Sequence, residues 1–208
     1  MANDYPQGVD MAAAIAAGFV LDRRDAVPKL IGRHEDFLFV TGLAGTARDI
    51  AALTQDGAHI YTMAGAMGGA CMIGLGLALA RPDKRVLVAT GDGELLMNLG
   101  ALATIAVLNP ANLAILCVDN GHYGETGMQA SHTNSGLSLC GVACACGIDT
   151  VFDIADAAAL QEFAARLHDF DRMMFARVAI EADDPPRILP SRDGVFLKNR
   201  FRRALGVE

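Results

Sequence analysis

Three short apolar runs in this chain each stop at a glycine, and that repeat limits the fold more than any other feature. Phe37-Leu38-Phe39-Val40 runs to Gly42. Arg85-Val86-Leu87-Val88-Ala89-Thr90 runs to Gly91-Asp92-Gly93, and Asn112 to Val118 runs to Asp119-Asn120-Gly121. Runs this short and this uniformly apolar are strands buried on both faces. Met174 to Ile180 reads as a last strand, and Ile60-Tyr61 as the start of a short strand or loop. Helical patterns lie between them: Thr46 to Leu53, Gly69 to Ala80, Leu95 to Leu108 before Asn109-Pro110, and Gly141 to Gly147. Asp156 to His168 sets Leu160, Phe163, Ala164 and Leu167 on one helical face. Asp10 to Val20 reads as a first helix with Asp10 as its N-cap. Asp22 to Glu35 reads as helix and loop, and Gly121 to Ser138 as a long polar loop. Strands alternating with helices imply an α/β fold: a doubly wound, mostly parallel sheet with helices on both faces.

Composition removes several other classes. The 208 residues suit one compact domain, and 52% hydrophobic with 20% charged residues is not a disordered tail. A net charge of −7 argues against nucleic-acid binding, which calls for a basic face. The stretches Ile60 to Ala80 and Leu95 to Val118 carry no charge. Glycines break the first, and Asn109, Pro110 and Asn112 break the second, so both read as buried elements of a sheet domain and not as membrane spans. Five cysteines, an odd number, and no leader-like start point to a reducing cytoplasm. Cys140, Cys144 and Cys146 follow no common zinc or iron–sulfur spacing and read as small residues of a tight helix. From Pro185 onward the chain turns basic, with Arg192, Lys198, Arg200, Arg202 and Arg203 around Phe196, Leu197 and Phe201. That tail is either an arm that docks a partner chain or a solvated C-terminal helix.

Ligands of open parallel sheets bind beyond the carboxyl ends of the strands. Asp92 and Asn120 stand at two such ends, and with the backbone carbonyl of His122 they form a small set of hard oxygen donors. Such a set suits Mg²⁺ shared between protein and substrate phosphates. The adjoining glycines let backbone amides approach those phosphates, and the helix beginning near Leu95 would aim its positive end at them.

Gly91-Asp92-Gly93 followed by Asp119-Asn120-Gly121 resembles the thiamine-diphosphate binding motif, with Asp119 in place of its first asparagine. Met63-Ala64-Gly65-Ala66-Met67-Gly68 is similar to the segment that shapes the cofactor in that family. The resemblance implies that Met67 wedges the cofactor into its bent form, while the Gly65 carbonyl and the Met67 amide bond its aminopyrimidine. It places Gly91, Gly93, Tyr123 and Gly124 at the cofactor as well. It covers about Phe37 to Ile180 and implies a six-stranded diphosphate-binding (PP) domain over residues 1–184, with 185–208 as a basic C-terminal arm.

The run from Gly91 to Gly100, with Tyr123-Gly124-Glu125-Thr126-Gly127 and Gln129, narrows the resemblance to sulfopyruvate and phosphonopyruvate decarboxylases. It implies a thiamine-diphosphate- and Mg²⁺-dependent decarboxylation of a small anionic 2-oxo acid. It also implies a separate α subunit carrying the pyrimidine-binding (PYR) domain, in an α/β hetero-oligomer. A carboligase or 2-oxo acid oxidoreductase subunit, or a non-catalytic scaffold, is the alternative.

Further residues are candidates on chemistry alone. His122 and His132, on the polar loop, suit a proton shuttle or an anionic substrate tail, and Glu125 suits catalysis or loop bracing. Arg48 reads as a first-turn helix arginine on the surface in preference to an anion receptor. Glu94 stands where many relatives have serine or alanine, and it would repel a diphosphate unless it turns away. His34, His59 and His168 read as incidental.

Overall fold

The structure, a computed structural model, describes residues 19–63, 65–183 and 189–207. The helix expected from Asp10 to Val20 falls almost wholly outside them. The chain then runs α1 (Arg23–Ile31), β1 (Phe37–Thr41), α2 (Ala44–Thr54), β2 (Ile60–Thr62), α3 (Ala70–Ala80) and β3 (Arg85–Gly91). It continues through α4 (Asp92–Leu96), α5 (Gly100–Leu108), β4 (Leu113–Asp119), β5 (His122–Tyr123), β6 (Gln129–Ala130) and α6 (Leu139–Ala145). It closes with β7 (Val151–Ile154), α7 (Ala157–Leu167), β8 (Met174–Ala179) and α8 (Gly194–Ala204).

Six strands form one sheet in the order β2-β1-β3-β4-β8-β7, and every neighbouring pair is parallel. Parallel strands need covered faces, and the alternation of side chains supplies two. Phe37, Phe39, Leu87, Leu116 and Val178 face α1, α2 and α7 through Leu30, Ile50 and Phe163. Val40, Val88, Ile115, Cys117 and Phe175 face α3, α5 and α6 through Leu75, Leu102 and Ala143. All five residues of β1 and all seven of β4 are buried. Burial on both faces is why these strands read as unbroken apolar runs.

Four details depart from the sequence reading. The helix expected from Leu95 to Leu108 is two helices. At Met97–Leu99 the chain tightens into three-residue turns, with Met97 N donating to Glu94 O at 3.1 Å and Asn98 N to Leu95 O at 3.0 Å. The helix after the β3 tip starts at Asp92 itself, so no helix begins at Leu95. β7 had no clear signal, being a four-residue edge strand with three positions partly or fully exposed. The polar loop from Gly121 to Ser138 holds the antiparallel β5–β6 hairpin and two single turns of 3₁₀ helix.

α8 folds back on the body. Leu197 and Phe201 are buried, the Phe201 ring packs on Tyr61 of β2 at 5.8 Å, and Arg200 bonds both the carbonyl and the carboxylate of Asp56. No helix among the described residues is long and apolar enough to cross a membrane.

Candidate functional site

β1 leads to β2 on one side of the sheet and β3 lies on its other side, so the strand order reverses between β1 and β3. A crevice opens at the carboxyl ends of strands flanking such a reversal. Here it is a cleft of about 880 Å³, counting the space open at its mouth. Its walls come from the start of α2, the β3 tip from Gly91 to Glu94, Asn120, and the loop from His122 to Met128, with Met67 at the rim. Ala44, the first residue of α2, holds a left-handed φ of 61°, a conformation that costs a non-glycine residue energy and clusters at functional sites.

Asp92, at the tip of β3, is 3% exposed. Ser131 Oγ donates to its Oδ2 at 2.5 Å, and Thr133 Oγ1 lies at 3.5 Å. Thr133 donates in turn to Asp119 Oδ1 at 2.8 Å, so two loop hydroxyls link the carboxylates of neighbouring strand ends. Asp119 has a cation, with Arg177 Nε at 2.5 Å from its Oδ2. Asp92 is met by hydroxyls. Burial, reinforced by the charge of Asp119, pushes the Asp92 pKa up to about 6. Asn120 lines the same cleft, its Oδ1 accepting from His122 N at 3.1 Å. His122 Nδ1 donates to the Asn120 carbonyl at 2.9 Å, which leaves Nε2 as the proton acceptor of the neutral ring.

A buried carboxylate with no basic partner among the described residues, lining an open cleft with an amide oxygen, fits a hard divalent cation. Among the described residues no three His, Cys, Asp or Glu side chains gather as a metal cage. Mg²⁺ asks for no such cage, since it is held by one or two carboxylates plus substrate phosphates. Cys140, Cys144 and Cys146 are free thiols, with Cys140 Sγ donating to the Phe152 carbonyl at 3.5 Å.

The Tyr123 ring packs against Gly93, where an added Cβ would stand 2.5 Å from its Cε1. The ring therefore fixes the loop against the β3 tip. Gly124 is exposed at the cleft, and Met67 is 43% exposed at its rim. Gly65 precedes Met67 in the same loop with a φ of 97°. Glu94 is buried in the cleft wall. It is 5% exposed, its Oε2 accepts from Thr90 Oγ1 at 2.9 Å, and a Cβ on Gly42 would meet that Oε2 at 1.4 Å. Its Oε1 is buried with no hydrogen-bond partner among the described residues. Burial raises its pKa, against the hydroxyl of Thr90.

Two sequence readings change here. Arg48 is not a surface residue: its side chain is 15% exposed in the cleft wall and forms an ion pair with Glu125. His132 is exposed and does not line the cleft, whereas His122 does. The residues that sequence reasoning missed are Ser131, Thr133 and Asn98. Asn98 Nδ2 donates to the Gly68 carbonyl at 3.0 Å and ties the Gly-rich loop to the break between α4 and α5.

Comparison with known proteins gives one matching family model: thiamine pyrophosphate enzyme, C-terminal TPP binding domain, over residues 43–178. The chain is 39% identical over 129 residues to the sulfopyruvate decarboxylase subunit beta of Methanocaldococcus jannaschii. The match covers 62% of this chain and 68% of that one. It is 45% identical over 135 residues to a phosphonopyruvate decarboxylase of Streptomyces hygroscopicus, covering 61% of this chain and 33% of that protein. It thus spans about two thirds of the first relative and one third of the second. Its fold is similar to a putative thiamin diphosphate-dependent enzyme from Mycobacterium smegmatis, with a TM-score of 0.65 and 18% identity. That likeness covers 78% of this chain and 32% of the other.

Proposed function

The chain belongs to the thiamine pyrophosphate enzymes, as their C-terminal TPP binding domain, and on that premise we propose that it is the β-type subunit of a decarboxylase. The substrate is a small anionic 2-oxo acid of the sulfopyruvate or phosphonopyruvate type, released as an aldehyde and CO₂. The PYR domain sits on a separate α subunit, in an α/β hetero-oligomer of the cytoplasm. Residues 1–184 are the cofactor domain, with 185–208 as a basic C-terminal arm. The likeness to sulfopyruvate decarboxylase subunit beta supports this reading. The observation that carries it is the pairing, in one cleft, of buried Asp92 with Asn120 at the ends of adjacent strands.

Asp92, Asn120 and the carbonyl of His122 would hold Mg²⁺. The Gly91–Gly93 turn would receive the diphosphate, and Gly65 and Met67 the aminopyrimidine. Bound thiamine diphosphate supplies the electron sink that lets a 2-oxo acid lose CO₂. The chain's own part is positioning. Ser131 and Thr133 orient Asp92, and Tyr123 presses the loop against the β3 tip. Met67 excludes water from the rim, and His122 Nε2 holds or accepts a proton at the cleft.

The test is to purify the tagged chain gently from its own cells and record native mass spectra. Turnover of sulfopyruvate and phosphonopyruvate is then followed with and without an electron acceptor and coenzyme A. A PYR-sized partner, retained thiamine diphosphate and aldehyde without acceptor are expected, with Asp92→Ala and Asn120→Ala losing the cofactor. Acyl-CoA formed only with acceptor would replace decarboxylase by oxidoreductase. Unchanged cofactor retention in both variants would sink the assigned site.

A further inference from the structure

The cleft contains three arginines, and they differ in what holds them. Arg23 is buried and grips Asp49 with two nitrogens, at 2.6 and 3.0 Å from Oδ2. Arg24 faces the same Asp49, its Nε 3.8 Å from Oδ1. Both side chains come from α1 and serve a carboxylate of α2. Arg48 is different. It projects from α2 to Glu125, a residue 77 positions away on the opposite wall.

The two partners of that pair are unequally solvated. The Arg48 side chain is 15% exposed and that of Glu125 is 34% exposed. A guanidinium so far out of water needs an anion at all times, because an unpaired charge there is costly. A half-exposed carboxylate can return to water at small cost. Glu125 also sits in the connection of the β5–β6 hairpin. It lies in a single turn of 3₁₀ helix between Gly124 and Gly127, where Gly127 holds φ at 114° and Met128 follows at 59°. The pair therefore has one fixed member and one exchangeable member.

The start of α2 adds a second feature. Leu43, Ala44, Gly45 and Thr46 line the same cleft, and the N-cap residue, Leu43, has no side chain able to cap the helix's first amides. Uncapped amides at the head of an eleven-residue helix favour an anion. Arg48 stands on the following turn of that helix. A guanidinium and helix amides facing one cleft make a receptor for a tetrahedral oxyanion. On the reading above, the diphosphate goes to the Gly91–Gly93 turn and to Mg²⁺ held at Asp92 and Asn120, at the ends of β3 and β4.

We propose that Arg48 is the residue that binds the substrate's second acidic group, a sulfonate or phosphonate, and that Glu125 occupies Arg48 until that group arrives. The proposal rests on the decarboxylase reading above and names which of this chain's residues selects the substrate class. No bond is made or broken: the guanidinium exchanges a carboxylate for a tetrahedral anion, and Glu125 swings into solvent. A 2-oxo acid with a neutral tail leaves the Arg48–Glu125 pair in place.

The test uses the full chain with its partner subunit, loaded with thiamine diphosphate and Mg²⁺. Sulfoacetate, a substrate-shaped sulfonate, is titrated by calorimetry, and kcat/KM is compared for sulfopyruvate, phosphonopyruvate and pyruvate. Arg48→Gln is expected to weaken sulfoacetate binding about 10- to 100-fold, the worth of a hydrogen bond to a charged group. It should lower kcat/KM for the two acidic-tailed substrates by a similar factor, spare pyruvate, and leave thiamine diphosphate affinity within about twofold. Arg48→Lys should fall between, and Glu125→Gln should tighten sulfoacetate a few-fold by removing the competitor.

Wild-type sulfoacetate affinity in Arg48→Gln would overturn the proposal. So would a proportional loss of thiamine diphosphate, which would mean that the cofactor is the anion Arg48 reads. Turnover that ignores Arg48 sinks this inference and leaves the decarboxylase reading standing. No turnover of either acidic substrate sinks that reading, and the calorimetry still decides whether Arg48 binds the anion.

Discussion

Arg177 of β8 sets its Nε 2.5 Å from Asp119 Oδ2 and its Nη1 2.9 Å from Asp153 Oδ1, so one guanidinium joins the tip of β4 to the edge strand β7. Burial alone would lower the pKa of Arg177, and the two carboxylates more than offset that and raise it. The ring of Phe19 covers its other face at 5.1 Å. Asp119 is wholly buried and has this cation beside it, so removing the cation strands a charge. Arg177→Met should cost about 3–5 kcal/mol in urea unfolding. Adding Asp119→Asn should recover most of that, since the amide needs no counterion. A double variant as unstable as the single one would show that Arg177 acts through packing alone.

Asp92 titrates near 6 in the fold against an ordinary value of 3.8, with burial as the first cause. Its folded pKa is raised, so the fold binds the proton more tightly than the unfolded chain does. Stability of the cofactor-free chain therefore falls as pH rises from about 4 to 6, by up to about 3 kcal/mol from this group. A protonated Asp92 donates to Ser131, which frees the Ser131 hydroxyl proton for Thr133, 2.9 Å away. Asp92→Asn should match wild type near pH 4 and exceed it at pH 7.5 in denaturant titrations. Equal stabilities at both pH values would refute the shift.

Gly42 and Glu94 form a steric pair. A Cβ at Gly42 would overlap Glu94 Oε2 at 1.4 Å, so Gly42→Ala displaces a buried carboxylate. The single variant should lose about 1–3 kcal/mol as an overpacked site. Combined with Glu94→Ser, whose side chain is too short to reach Gly42, the loss should shrink to a few tenths of a kcal/mol. Additive losses in the double variant would place Glu94 elsewhere in solution.

Asn98 holds the Gly-rich loop from the break between two helices. Asn98→Ala removes its bond to the Gly68 carbonyl and should cost about 1 kcal/mol of stability. Thiamine diphosphate should bind more weakly, because Met67 is no longer fixed at the rim. Hydrogen exchange would read the change directly, as faster exchange confined to residues 65–69. Unchanged exchange there would show that the Asn98 bond does not hold the loop.

The sheet was legible because burial on both faces leaves β1, β3 and β4 no room for polar residues. Asp92 and Asn120 were legible because strand ends are marked by the same runs. Arg48 was not: its environment depends on Glu125, a loop residue whose position no local pattern encodes. Ser131 and Thr133 were hidden for another reason, since hydroxyls in a polar loop look alike whether they face water or a carboxylate. Asn98 lay inside an apolar helical pattern that gave no reason to break it. β7 is short and half-exposed, so no run of apolar residues announces it.

The free margin of the sheet beside β2 has its own guard. β2 has three residues and, among the described residues, pairs only with β1, and α8 packs beside it through Phe201 on Tyr61 and Arg200 on Asp56. A strand with an open backbone edge recruits strands from other molecules. The clamp thus doubles as a safeguard against self-association. A chain cut before Asp193 would keep every residue of the cleft, yet it would present an uncovered edge to its neighbours and is expected to self-associate.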